Sequence, residues 1–234
     1  MDQLFEIIFN GLDTHPTKVE CDNPKMHRWK AWKPQTPFAP DFDIPIYIDS
    51  IDVSGLLELI QREKIAERFW TTYNIFHYDD LLLKVLADNI YKTYIDYMKE
   101  LDYDPLPKDK LWIRGWANAF APETYLKHHA HAFHENSYLS SNVFLSGLNT
   151  STDYLFPFIG WYFGYWKDAN APGKISMFPS WLEHMVNVNT TKEVRFSLGF
   201  DMFTEESFSY IRENRNENSE TQNILLLSKQ FSAI

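Results

Sequence analysis

The chain has one cysteine, Cys21, and no excess of positive charge. A single thiol builds no disulfide framework, which points to a reducing compartment. With 22 Lys and Arg against 32 Asp and Glu, the net charge is −10. Phosphate-driven nucleic-acid binding and residence on an anionic membrane both need the opposite balance. No run approaches ~18 consecutive apolar residues, so no membrane span is expected. The segment Met1-Asp2-Gln3-Leu4-Phe5-Glu6 lacks the basic start and apolar run of a signal peptide. A cytoplasmic protein is the expectation. Internal repeats and low-complexity runs are absent from the sequence as well.

What the chain does have is apolar and aromatic matter: 44% hydrophobic and 17% aromatic residues over a length of 234. That suits one domain with a sizeable core, with or without an appendage. Residues 1–45 carry Pro16, Pro24, Pro34, Pro37, Pro40 and Pro45, with Trp29 and Trp32 between. This spacing reads as an extended arm packed on a core, or equally as a disordered leader. Residues 46–106 read as a helical support region. Ile46 to Ser50 resembles a short strand, and Leu56, Leu57, Leu59, Ile60 and Ile65 give Val53 to Arg68 a helical stripe. A stronger helix follows Asp79-Asp80, with Asp79 as N-cap, and stops at Asp102-Tyr103-Asp104-Pro105. From 107 to 203 the texture is that of strands: Leu111 to Phe120, Tyr138 to Leu145, Lys174 to Phe178 and Val194 to Met202. Trp116, Asn118 and Phe120 share one face of the first. Residues 204–234 are polar, a surface helix or tail. Helices followed by strands predict an α+β fold, with helices buttressing a β-sandwich or barrel.

Four of the eight histidines lie in Lys127-His128-His129-Ala130-His131-Ala132-Phe133-His134. Imidazole is the commonest neutral nitrogen ligand of transition metals. On a strand, His129 and His131 project together and His128 faces away. His184 lies in Phe178-Pro179-Ser180-Trp181-Leu182-Glu183-His184, just past a strand that enters a tight corner. A pair plus one distant His gives three ligands and open positions, as in non-haem Fe(II) oxygenases and in catalytic zinc sites. A surface cluster without metal is the plain alternative. In Val194-Arg195-Phe196-Ser197-Leu198, Arg195 and Ser197 share a face. Together they can hold a carboxylate, or Arg195 can pair with a structural acid.

From about Trp112 to Phe203 the chain resembles the 2-oxoglutarate- and Fe(II)-dependent oxygenase superfamily, in particular the oxygenases of tailed phages and marine bacteria. The resemblance rests on Trp116-Ala117-Asn118, His129-Ala130-His131, Ser140 to Leu145, Gly173 to His184 and Arg195 to Phe200. The stretch Phe178 to His184 is its most specific part. It implies a double-stranded β-helix (jelly-roll, cupin-like) core with buttressing N-terminal helices. It also implies Fe(II) as cofactor, and 2-oxoglutarate as cosubstrate with O₂. By resemblance the metal falls to His129, His131 and His184, and the far carboxylate of 2-oxoglutarate to Arg195 and Ser197. Tyr125 and Asn118 are further candidate contacts to the cosubstrate. The implied reaction hydroxylates a C–H bond of a peptide, protein side chain or small molecule and releases succinate and CO₂. For a phage protein the location would be the host cytoplasm.

The register of the first pair stays open. Counting forward from Trp116 gives His129 and His131. Counting back from Ser140 brings in His134 beside His131. His128 with Ala130 would resemble the halide-binding variants of the superfamily. None of these supplies the usual Asp or Glu ligand, and Glu135 has the wrong spacing. A non-catalytic β-helix binding or phage-associated interaction protein and a zinc-dependent hydrolase are the competing readings. Tyr154 to Trp166 holds eight aromatics in thirteen residues. That stretch is either a substrate-covering lid or the packing of a strand pair.

Overall fold

The alternation of residue types beyond position 111 becomes two antiparallel sheets in the computed structural model, which describes residues 17–18, 25–30, 36–39, 41–132, 134–147, 149–155, 165–214 and 223–231. The chain divides into two compact units, residues 1–46 and 47–234. In the first, β1 (Thr17–Lys18) pairs antiparallel with β2 (Met26–Lys30). Arg28 holds Asp43 through two N–H···O bonds of 2.5 Å. β3 (Asp43–Ser50) starts there, and its end from Tyr47 onward belongs to the second unit.

The second unit opens with helices. α1 (Leu56–Arg62) is shorter than its apolar stripe predicts, because Lys64 turns into a left-handed φ of 51° and the chain goes on as a 3₁₀ turn, Ile65–Glu67. α2 (Leu81–Glu100) buries Leu83, Leu86, Ala87, Ile90, Tyr94 and Tyr97, a stripe at helical spacing. Its N-cap is Asp80 rather than Asp79: the Asp80 carboxylate accepts the Leu82 N–H at 2.8 Å. Asp79 instead pairs with Lys84 at 2.7 Å.

The strands that follow are β4 (Trp112–Phe120), β5 (Leu126–His129), β6 (Leu139–Phe144), β7 (Ser151–Leu155), β8 (Tyr165–Ala169), β9 (Lys174–Pro179), β10 (His184–Val186), β11 (Arg195–Phe203) and the short β12 (Leu225–Leu226). One sheet of this unit has the order β3-β9-β6-β11-β4-β12, the other β5-β10-β7-β8, and the paired neighbours run antiparallel. Along the chain, β4, β6, β9 and β11 fall in the first sheet. Between them β5, then β7 with β8, then β10 fall in the second. A chain that winds back and forth between two facing sheets in this way is a double-stranded β-helix, the jelly roll. The first sheet also draws β3 and β12 from outside 107–203.

Beyond its short pairing with β12, the edge of β4 away from β11 is closed by side chains. Buried Asn74 uses its whole amide: Oδ1 accepts from Phe76 N–H (3.1 Å) and Gly115 N–H (2.9 Å), and Nδ2 donates to the carbonyls of Ile113 (2.9 Å) and Asn223 (2.7 Å). The Tyr73 hydroxyl accepts from Ala117 N–H at 2.9 Å. Such capping protects an edge that would otherwise pair with another chain. Gly115 is required here, since a Cβ would lie 2.6 Å from the Phe76 ring. Asn74→Ala is expected to destabilise the fold by about 2–4 kcal/mol, because several buried backbone groups lose their partner at once. A lower urea midpoint at unchanged slope checks it.

The polar C-terminal region forms α3 (Glu205–Asn214), whose Phe208 and Ile211 pack with Trp112, Phe203 and Ile224. In the aromatic stretch, buried Tyr154 stacks on Trp166 at 5.6 Å between ring centres, and Tyr165 is exposed. Phe156, Phe158, Gly160, Trp161, Tyr162, Phe163 and Gly164 lie outside the described residues. Among those described, no helix is long and apolar enough to cross a membrane.

Candidate metal centre

Alternation along β11 puts Arg195, Ser197, Gly199 and Asp201 on one side, toward the interior of the β-helix, and Leu198, Phe200 and Met202 on the other, in the core. The neighbouring strands set polar and aromatic residues beside the first group. Asn118 and Phe144 flank Ser197 in register, and Trp116 and Asn142 flank Gly199. The indole of Trp116 lies against Gly199, where a Cβ would come within 2.8 Å of the ring. From the second sheet, β5 and β10 bring His129 and His184 into direct register. Apart from Arg195 and Asp201, these inward-facing residues line one pocket, together with His131, Ser141, Phe120, Leu126 and Val186.

The histidine pair is not a strand pair. His129 is the last residue of β5, and His131 lies beyond it in a bend, tied by its N–H to the Ser180 carbonyl at 2.9 Å. The bend still turns both rings toward His184, the first residue of β10. One ring nitrogen from each of His129, His131 and His184 lies within 4.8 Å of the other two. His128 is exposed, its Nε2 2.8 Å from the Met185 sulfur. The His134 ring stacks on Tyr210, 4.2 Å between centres, and is not one of the three converging rings. Tyr125 is 52% exposed and does not line the pocket, whereas Asn118 and Ser197 do.

Every Nδ1 of the trio faces an acceptor: the Lys127 carbonyl for His129 (2.8 Å), Asp201 Oδ1 for His131 (2.5 Å) and the Leu182 carbonyl for His184 (3.0 Å). None of those acceptors has a proton to give, so each Nδ1 carries the hydrogen, and three Nε2 lone pairs are left to converge. His129 Nε2 and His131 Nε2 are 3.3 Å apart. Two nitrogens at about 2.1 Å from one ion and roughly 90–110° apart are separated by about 3.0–3.4 Å. The donor set therefore fits a divalent transition metal.

Burial, together with the neighbouring His131 and His129, holds His184 well below the usual imidazole range, and burial lowers His129 as well. In the metal-free protein these two rings refuse a proton that the unfolded chain takes up below about pH 6.5. The unfolded state then binds more protons, so stability falls as pH drops below about 6.5 toward the folded values. Melting temperatures of metal-free protein from about pH 8 to about pH 5 are expected to hold and then fall below that point. A rise on acidification would contradict the lowered proton affinity of these two rings.

Arg195 is 1% exposed and lies over the Phe120 ring at 4.7 Å. Gly147, at φ 112°, leaves room for it: a Cβ there would meet Arg195 Cγ at 2.9 Å. Nη1 donates to the Asn187 carbonyl at 3.2 Å, while Nε and Nη2 are buried without partners. Among the described residues no carboxylate pairs with it, so the structural acid allowed by the sequence is not found there. A buried guanidinium with two unpartnered donor atoms is chemically suited to receive an anion.

Sequence reasoning passed over Asp201. It stands between Arg114 and Ser140 in register across the sheet and is 3% exposed. Burial pushes its carboxyl up, yet His131, Arg114 and Ser140 outweigh this and hold it well below the usual carboxylate range. The signal was present in the even spacing Arg195, Ser197, Gly199, Asp201. Asn142 was also missed: its Oδ1 accepts from Ser176 Oγ at 2.8 Å, and that hydroxyl is 2.6 Å from the Tyr154 hydroxyl.

The molecule is thus a double-stranded β-helix with three imidazoles converging in the lining of one pocket. No protein-family model matches the chain, and neither does any curated protein sequence. Solved structures do share the fold. A prolyl-4-hydroxylase from Pseudomonas putida is similar at a TM-score of 0.52 and 10% identity, over 68% of this chain and 86% of that one. AviO1 from Streptomyces viridochromogenes is similar at a TM-score of 0.50 and 9% identity, over 69% of this chain and 90% of that one. At such identities the likeness is one of fold.

Proposed function

We propose that this protein is an Fe(II)- and 2-oxoglutarate-dependent oxygenase that hydroxylates a C–H bond of a peptide, protein side chain or small molecule, releasing succinate and CO₂. One observation carries the reading: three convergent imidazole nitrogens and a buried guanidinium whose Nε and Nη2 have no partner face the interior of the same β-helix. The first is a socket for a divalent metal, the second for a carboxylate. 2-Oxoglutarate joins a chelating end and a carboxylate end in one molecule. The fold shared with a prolyl-4-hydroxylase agrees with this chemistry.

In this reading His129, His131 and His184 hold the metal through Nε2, and Arg195 and Ser197 hold the far carboxylate. Iron, when bound, supplies the redox chemistry that activates O₂. The chain's own work is binding, orientation and exclusion of water. Arg195 offers two donors at a fixed spacing, which sets the cosubstrate's direction as well as its affinity. Trp116, Phe120 and Phe144 wall the pocket and limit solvent. Asn118 and Asn142 line the same pocket as the three histidines and Ser197 and are available to cosubstrate or substrate. The three-histidine set, without a carboxylate, also suits catalytic zinc and keeps a zinc hydrolase in view.

The test is consumption of 2-oxoglutarate by purified protein supplied with Fe(II), with succinate as the product measured. Fe(II)-dependent formation of succinate is expected. Stoichiometric zinc in protein purified without added metal, together with indifference to 2-oxoglutarate, would establish the hydrolase instead.

A further inference from the structure

We propose that Asp201 is a positioning residue of the metal centre. From outside the donor set it fixes His131 and supplies, at one remove, the negative charge that the three ligands lack. The inference rests on the reading that these imidazoles hold a divalent metal. Two of the three Nδ1 groups donate to neutral backbone carbonyls, and only that of His131 donates to a carboxylate. His131 is also the ring that no strand holds, since it lies in the bend after β5. Its orientation therefore depends on this contact more than those of His129 and His184 do on theirs. Asp201 is itself held rigidly: Oδ1 also accepts from Ser140 Oγ at 2.7 Å, and Oδ2 accepts from Arg114 Nη2 at 3.0 Å. Those two partners sit directly across from it on β6 and β4, so backbone pairing fixes where the carboxylate stands. A carboxylate behind a ligating imidazole selects its tautomer, aims its lone pair and makes it a stronger donor. In a centre with a direct carboxylate ligand, that charge would sit on the metal itself. Here the sheet places it one ring further out.

The experiment is a Co(II) titration of the whole protein, followed by the visible absorption of the bound ion and by calorimetry. Asp201→Asn keeps an acceptor for His131 but removes the charge. It is expected to weaken Co(II) binding by about 10–100-fold and to shift the Co(II) bands. Arg114→Met leaves the carboxylate on His131 and is expected to weaken binding about tenfold less than Asp201→Asn does. A merely structural ion pair predicts equal losses from the two variants, and that result overturns the proposal. So does an Asp201→Asn protein that binds Co(II) as the unaltered protein does. Should Asp201→Asn fail to fold because Arg114 is left unpaired, the double variant Arg114→Met/Asp201→Asn removes both buried charges and is read the same way. An unaltered protein that takes up no Co(II) would instead defeat the metal reading itself, and this proposal with it.

Discussion

Replacing His184 with alanine is expected to abolish metal uptake and to lower 2-oxoglutarate turnover by at least about 10³-fold, the equivalent of several kcal/mol of metal-dependent stabilisation. His184 is the best-buried member of the trio, at 4% exposure, and it is the only one that comes from the distal strand. Its place is set twice over, by register with His129 on one side and with Tyr154 on the other. The Phe178 ring meets it edge-on, 4.7 Å between centres. No other histidine of the trio can move into the gap, because each Nδ1 is tied to its own acceptor. The two remaining imidazoles offer only part of a socket. The cavity left behind is expected to cost about 1–3 kcal/mol, within the range of a typical truncation, so the fold should survive. Metal content by elemental analysis and succinate by chromatography, measured on protein with native circular dichroism, check the prediction. A variant that keeps metal and turnover would end the assignment of His184 as a ligand.

Arg195→Met is expected to move stability and cosubstrate binding in opposite directions. A buried guanidinium with two unpartnered donor atoms, and no acid beside it among the described residues, costs free energy in the unliganded protein. Methionine fills a similar volume without that cost. The unliganded melting temperature should therefore hold or rise. The affinity for 2-oxoglutarate should fall by about 10²–10³-fold, the loss expected when one partner of a buried charged pair is removed. Arg195→Lys keeps the charge but not the two-pronged geometry, and should recover only part of the affinity. Melting curves with and without 2-oxoglutarate measure both effects, because a ligand raises the apparent stability only where it binds. Equal destabilisation with and without the cosubstrate would show that Arg195 is a packing element. Reduced stability together with unchanged affinity would remove it from the site.

Several of these features could be read from the chain alone. The even spacing of Arg195 and Ser197 and the position of Trp116, Asn118 and Phe120 follow from the two-residue period of a strand, which a local pattern reports faithfully. The strong helix was legible for the same reason: Leu83, Leu86, Ile90 and Tyr94 repeat at the helical period, whereas buried Tyr97 became apparent only in the structure. Its cap was misplaced by one residue, since two adjacent aspartates look alike until one of them meets the Leu82 amide. The break in the first helix was hidden, because the left-handed turn at Lys64 leaves no mark in the apolar stripe.

The first histidine pair shows the limit most clearly. The spacing His129-Ala130-His131 predicts one face of a strand, yet the strand ends at His129 and a bend carries His131 to the same point. Residue spacing alone left three registers open. The choice among them came from contacts remote in sequence: Ser180 holding the His131 amide, Asp201 holding its ring, and Tyr210 stacked on His134.

By itself, then, the sequence determined where the candidate histidines and Arg195 lie and that Arg195 and Ser197 share a strand face, because both depend on near neighbours along the chain. The tertiary structure alone decided which three imidazoles meet, that Arg195 stands without an acid among the described residues, and that the carboxylate absent from the ligand set lies behind His131. For His129, His184, Arg195 and Asp201 these are outcomes of strand register across two sheets, and for His131 of a bend tied to Ser180. Register depends on pairing between segments tens of residues apart, which no local period records.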